Sequence, residues 1–247
     1  MMKTLLVDGI QGGIEVTLNR PEYRNSINQE LLQELAWVLQ RAEQEPAIKL
    51  IVLQGMNGIF CTGMDFREQA SPELFSLYMN IIKTLSLTPK ITVAKVDGQA
   101  TAGGLGLLAA CDLVVATPRS QFSLSEALWG ALPSMVLPYL IRRIGYQRAY
   151  ALTLTTQVIT AQEAREMQLV DEVGEDLSQI IQRLTSRTMY VNESTLREMK
   201  QYFRRMWLIN EQLEKLAVET TARLMNDPLF QQNVRHFLES GKYPWQK

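Results

Sequence analysis

The chain has 247 residues, 46% hydrophobic and 21% charged, enough for one large domain or one domain with an appended element. With 25 Lys+Arg against 26 Asp+Glu the net charge is -1, which gives no reason to expect nucleic acid or a membrane surface as partner. No apolar run approaches the roughly 18 residues of a membrane span. The opening Met-Met-Lys-Thr-Leu-Leu-Val-Asp meets an acid too early for a secretory leader, so a soluble cytoplasmic protein is expected.

In chain order, Ile14–Leu18 alternates as a strand and residues 19–26 form a loop. Residues 29–45 carry Leu31, Leu32, Leu35, Val38 and Leu39 at helical spacing. Leu50–Leu53 is a short buried strand, 54–58 a turn, and 59–65 leads into a polar segment before a helix near Glu73–Leu87. A strand at 91–96, a glycine loop, a helix from about 104 and a strand at 113–116 follow, and 122–125 forms a short strand before Glu126. Such alternation implies βαβ units. From Leu137 onward the pattern is helical, at 137–144, 147–154 and 161–167, and as one long run over 192–226. Pro244-Trp245 anchors the tail by a bulky ring. The expected organisation is an α/β core over 1–190 and a C-terminal helical region over 191–247, whose apolar residues cover the core, a sister subunit, or both.

There is one histidine, His236, so a His-rich metal site is excluded and a Ser-His-Asp triad would have to use it. Cys61 and Cys111 sit among apolar or small residues as reduced thiols. Acid–base chemistry therefore falls to carboxylates.

Two glycine turns carry the chemistry. Ala100-Thr-Ala-Gly103-Gly104-Leu-Gly106 lies at a strand-to-helix junction, where unpaired N–H groups attract negative charge. Gly58-Ile-Phe-Cys-Thr-Gly-Met-Asp65 ends an earlier strand in the same way. Each turn is open to a packing role, but together they can supply the two N–H donors of an oxyanion hole. Glu126 reads either as a helix-start acid capped by Ser123 or Ser125, or as an acid/base.

In their order along the chain, Arg20-Pro21-Glu-Tyr-Arg-Asn25, Phe60-Cys-Thr-Gly-Met-Asp65, Gly98-Gln-Ala-Thr-Ala-Gly-Gly-Leu-Gly106, Ala110-Cys-Asp112 and Phe122-Ser-Leu-Ser-Glu126 with Gly130-Ala-Leu-Pro133 resemble the crotonase (enoyl-CoA hydratase/isomerase) superfamily. The resemblance implies a spiral of ββα units, a helical C-terminal trimerisation region and a homotrimer or hexamer. It also implies an oxyanion hole for an acyl thioester, with the N–H groups of Met64 and Gly103 as donors. Hydratases of the family carry two glutamates. Here the second is present as Glu126, but Gly106 stands where the first would be. One carboxylate would then take the α-proton and return it to the departing hydroxyl. Asp65 would orient the loop.

The segments Ala102–Asp112, Phe122–Gly130, Arg142–Gly145 and Gly241–Trp245 further resemble the first crotonase-like enzymes of polyketide β-branching cassettes. That likeness implies dehydration of 3-hydroxy-3-methylglutaryl on an acyl carrier protein to 3-methylglutaconyl, which a partner crotonase decarboxylates. No cofactor beyond the phosphopantetheine or CoA of the substrate is implied. Arg20 and Arg24 would approach that carrier arm. Lys83, Arg67, Tyr78, Trp129 and His236 are the candidates for the distal carboxylate, and Gly104 is a further substrate-binding candidate. The alternatives are an enoyl-CoA hydratase or isomerase of acyl-CoA metabolism, and a non-catalytic binding protein of the same fold.

Overall fold

A computed structural model describes residues 2–68 and 70–246. The chain opens with the antiparallel hairpin of β1 (Leu5–Ile10) and β2 (Gly13–Leu18), in register from Leu5↔Leu18 to Ile10↔Gly13. β1 was not expected from sequence. It is a sheet edge with four consecutive exposed residues, so it shows no in–out alternation. α1 (Gln29–Gln44) is started by Asn28, whose side chain accepts the Leu31 N–H, and it buries Leu31, Leu32, Leu35, Val38 and Leu39 as their spacing predicts.

A strand–strand–helix unit then repeats. The first is β3 (Leu50–Gln54), β4 (Ile59–Cys61) and α2 (Pro72–Leu87); the second is β5 (Ile91–Val96), β6 (Gln99–Thr101) and α3 (Gly103–Ala110); the third is β7 (Leu113–Ala116), β8 (Gln121–Ser123) and the single turn α4 (Glu126–Trp129). The rest is α5 (Leu137–Ile144), α6 (Tyr146–Thr155), β9 (Ile159–Thr160), α7 (Ala161–Glu166), β10 (Glu172–Val173), α8 (Leu177–Thr185), α9 (Glu193–Met206), α10 (Glu211–Met225) and α11 (Pro228–Ser240). α7 starts with a capping box between Thr160 and Glu163.

The first strand of each unit enters a six-stranded sheet of order β1-β2-β3-β5-β7-β10, parallel from β2 onward. The second enters a four-stranded sheet of order β4-β6-β8-β9, in which β4, β6 and β8 are parallel. This is the ββα spiral. Its consequence for function is direct. The residues that leave β4, β6 and β8 emerge side by side at one edge, where α/β sheets place their ligands.

The helical run expected over 192–226 is broken. α9 stops at Met206, and Asn210 restarts the chain as α10 by accepting the Leu213 N–H at 3.0 Å. Between them Trp207 turns inward onto Tyr139, with ring centroids 4.9 Å apart. Half-buried ion pairs fasten these helices to the core: Lys200 to Asp112 at 2.7 Å, and Lys83 to Glu214 at 2.9 Å. No helix among the described residues is long and apolar enough to cross a membrane.

Candidate active site

The turns after β4 and β6 meet at a cavity of about 740 Å³. Gly63 sits at φ 87°, a conformation that favours glycine, and a Cβ on it would lie 2.7 Å from Ala102 Cβ and 3.0 Å from the Gly103 nitrogen. Ile27 and Met64 form an isolated parallel bridge, in which Ile27 N–H donates to Gly63 C=O (2.7 Å) and Asp65 N–H to Ile27 C=O (2.9 Å). The neighbours of Met64 make those bonds, so its own N–H points to the other side. Gly103 is the first residue of α3, where an N–H has no partner within the helix. Neither N–H has a protein acceptor among the described residues, and both residues line the cavity. Two such donors can hold the oxygen of a thioester enolate.

The glycines of the α3 turn serve space more than conformation. Gly103, Gly104 and Gly106 are absent from the positive-φ residues, whereas Ala102 is strained at φ 50°. A Cβ on Gly104 would lie 2.4 Å from the Cys61 carbonyl oxygen. Gly104 is therefore buried against β4 and does not line the cavity, which corrects its assignment to the substrate. Burial pushes the thiols of Cys61 and Cys111 up to about 12, so neither is a nucleophile at neutral pH.

Glu126 opens α4 on the cavity wall. Ser125 makes no side-chain cap to this one-turn helix, so the capping account fails. The Oε2 atom is buried without a hydrogen-bond partner among the described residues. Burial pushes the carboxyl up to about 7, against a weaker downward pull from the backbone amides of Glu126 and Ser125. A carboxyl in this state can take and return a proton near neutrality.

Asp65 holds the Met64 turn in place. Its carboxylate accepts Arg20 Nη2 at 3.0 Å, Arg67 Nη2 at 2.7 Å, Arg67 Nε at 2.8 Å and the Arg67 backbone N–H at 3.1 Å. Burial pushes this carboxyl up, but the bonds from Arg67 and Arg20 outweigh it and hold it below the usual carboxylate range. Asp65 thus orients the loop through guanidinium groups. Arg20 is 8% exposed and also donates to the Ser26 carbonyl, so it is a loop anchor and not a contact for a carrier arm. Arg24 does line the cavity, held by Gln99. Arg67 lies over the Tyr23 ring at 3.9 Å and also lines it.

Of the other candidates, the structure brings Tyr78 and Trp129 to the cavity and keeps Lys83 and His236 out of it. Lys83 is paired with Glu214, which Arg204 also binds. His236 is exposed on α11 beside Ser240, on the face opposite the buried Val234 register. Tyr78 is 1% exposed and donates to the Gly103 carbonyl at 2.6 Å.

Sequence reasoning did not foresee an aromatic wall. Phe66 packs on Trp129 with centroids 4.6 Å apart, Phe237 meets Trp129 at 5.4 Å, and Phe230, Tyr243 and Trp245 extend the cluster. In the sequence only Trp129, a candidate for the distal carboxylate, and the bulky ring at Trp245 stood out, because the other members are scattered over the last fifth of the chain and beside Asp65. Ser134 and Thr221, 2.6 Å apart, add polarity to the lining.

The enoyl-CoA hydratase/isomerase family model matches residues 9–247. The chain is 33% identical over 243 residues to the bacillaene synthase dehydratase PksH of Bacillus subtilis, covering 94% of this chain and 92% of that protein. It is 30% identical over 255 residues to the hydroxycinnamoyl-CoA hydratase-lyase of Pseudomonas fluorescens, covering 96% and 92%. The crystal structure of PksH from Bacillus subtilis superposes with a TM-score of 0.90 at 32% identity, over 99% of this chain and 100% of that one.

Proposed function

Because the chain belongs to the enoyl-CoA hydratase/isomerase family, we propose that it removes water from 3-hydroxy-3-methylglutaryl carried on the phosphopantetheine arm of an acyl carrier protein, giving 3-methylglutaconyl. The chain is a lyase of this family, in line with the hydratase, dehydratase and hydratase-lyase names of its relatives. The carrier-bound substrate draws support from PksH, a dehydratase named for the synthesis of bacillaene.

One observation carries the reading: the buried, unpartnered Oε2 of Glu126 shares a cavity with the free N–H groups of Met64 and Gly103. The thioester oxygen accepts those two N–H bonds. Ionised Glu126 takes the α-proton, and the electron pair of the broken C–H bond moves into the enolate. The enolate then expels the 3-hydroxyl, which takes the proton from Glu126 and leaves as water. The described carboxylates of the lining are Glu22, Asp65 and Glu126, and Asp65 is occupied by two guanidinium groups. Glu22 is exposed, so Glu126 serves as the acid/base of both steps. Arg24 supplies a cation for the phosphate of the arm, and Arg67 one for the distal carboxylate. A decarboxylating crotonase would consume the product. Exposed Tyr146, Tyr150, Leu154, Phe203 and Met206 suit a homotrimer or hexamer.

The aromatic wall favours a second reading, hydration or dehydration of an apolar acyl-CoA. The test is incubation of the purified protein with the hydroxymethylglutaryl carrier protein, its CoA ester and 3-hydroxybutyryl-CoA, following loss of the mass of water. Turnover concentrated on the carrier-bound substrate is expected. Equal or faster turnover of the plain CoA esters moves the function to the second reading, and no water loss from any thioester points to a binding protein.

A further inference from the structure

Tyr78 reaches the cavity from α2, and its hydroxyl takes up space that glycine at position 106 leaves. A Cβ on Gly106 would lie 2.0 Å from Tyr78 Oη, 3.2 Å from its Cζ and 3.1 Å from Val136 Cγ2. Any side chain at 106, a carboxylate included, thus competes with this phenol for one volume. A phenol has one proton and acceptor lone pairs. The Tyr78 proton is committed to the Gly103 carbonyl at 2.6 Å. Toward a bound molecule the oxygen is therefore an acceptor. Burial holds the phenol protonated, well above its ordinary range, and an ionised Glu126 acts in the same direction. Its proton stays with the Gly103 carbonyl and is not transferred to a bound molecule.

We propose that Tyr78 contacts substrate, accepting a hydrogen bond from the 3-hydroxyl of the acyl thioester and so turning a lone pair of the leaving oxygen toward Glu126. The proposal rests on the dehydration reading above. The geometry supports it in two ways. Tyr78 lines the cavity that holds both Glu126 and the two oxyanion donors, and its hydroxyl oxygen lies 3.6 Å from where a Cβ on Gly103 would be. Its anchor is the carbonyl of Gly103, the residue whose N–H is one of those donors, so its place relative to the thioester is set by the same turn. A 3-hydroxyl otherwise rotates about its C–O bond, and only some of its rotamers offer a lone pair to the acid.

The alternative is that the phenol merely braces Gly103. The two roles separate in a pair of assays on the full chain. One is loss of water from the 3-hydroxyacyl thioester. The other is exchange of the α-proton in deuterium oxide on the same thioester without its 3-hydroxyl, which uses Glu126 and the oxyanion donors but has no leaving group. Tyr78→Phe is expected to lower kcat for water loss by about 10- to 100-fold and to leave exchange within about 3-fold. Gly106→Ala, whose methyl displaces the hydroxyl while keeping the phenol, is expected to show the same split and covers the case in which the first variant does not fold. An equal fall in both assays, or no fall in either, overturns the proposal. Failure of the parent reading looks different: the wild type itself exchanges the α-proton and releases no water, and both proposals then fall together.

Discussion

Replacing Glu126 by glutamine removes one ionisable group from the cavity and keeps its size. The carboxyl lies at about 7 in the folded protein against an ordinary 4.5. At about 1.4 kcal/mol per pKa unit, the folded state carries a penalty of about 3 kcal/mol once the group is ionised, lowered somewhat by water that enters the cavity. Below the ordinary value both folded and unfolded chains hold the proton, so the penalty is absent. As pH rises from 4.5 toward 7 the unfolded chain loses its proton first, and stability falls. Above 7 the loss is complete. Glu126→Gln is exempt, so it should match the wild type at about pH 4.5 and exceed it by about 2–3 kcal/mol at about pH 8. The assay is urea unfolding of both proteins across this range at one protomer concentration. The same variant should lose about 10³-fold or more in water loss from the thioester while still binding it. Parallel stability curves would show that Glu126 is not held in the protonated state by burial, and wild-type turnover would remove it from the mechanism.

Three other expectations are open to direct measurement. With ionised Glu126 as the initial base, kcat/KM should climb as pH rises through about 7, and a flat profile from acid to alkaline pH would contradict that role. Asp65→Ala leaves the guanidinium of Arg20, 8% exposed, without its counter-charge; it should cost about 3–5 kcal/mol in unfolding free energy and slow turnover by releasing the Met64 turn, whereas an unchanged melt would contradict the anchor. Lys83→Ala should lower thermal stability by breaking the pair with Glu214, and His236→Ala should leave it unchanged. Turnover should stay within about twofold of wild type for both, because neither side chain lines the cavity, and a larger loss in either would return that residue to the site.

Local rules made much of the molecule legible. Helical spacing in Leu31–Leu39 defined α1, glycine at 63 and the junction at 103 marked the two turns, and the scarcity of histidine left the chemistry to a carboxylate. Family motifs in register singled out Glu126, Met64 and Gly103, which line the cavity that the structure forms. These features are written in short segments, where period, capping and backbone freedom act within a few residues.

What the tertiary structure alone decided depends on side chains distant in sequence. At the break between α9 and α10 Trp207 packs on Tyr139, a contact no local pattern carries. Arg20 and Lys83 became structural when Asp65 and Glu214 met them from 45 and 131 positions away. The aromatic wall was invisible because Trp129, Phe237 and Trp245 come together only once α11 folds back over α4. Gly106 shows the division most sharply. By itself the sequence determined that a carboxylate was missing there; only the fold showed that the hydroxyl of Tyr78 stands in its place, because volume in a packed interior is shared among residues that the chain holds far apart.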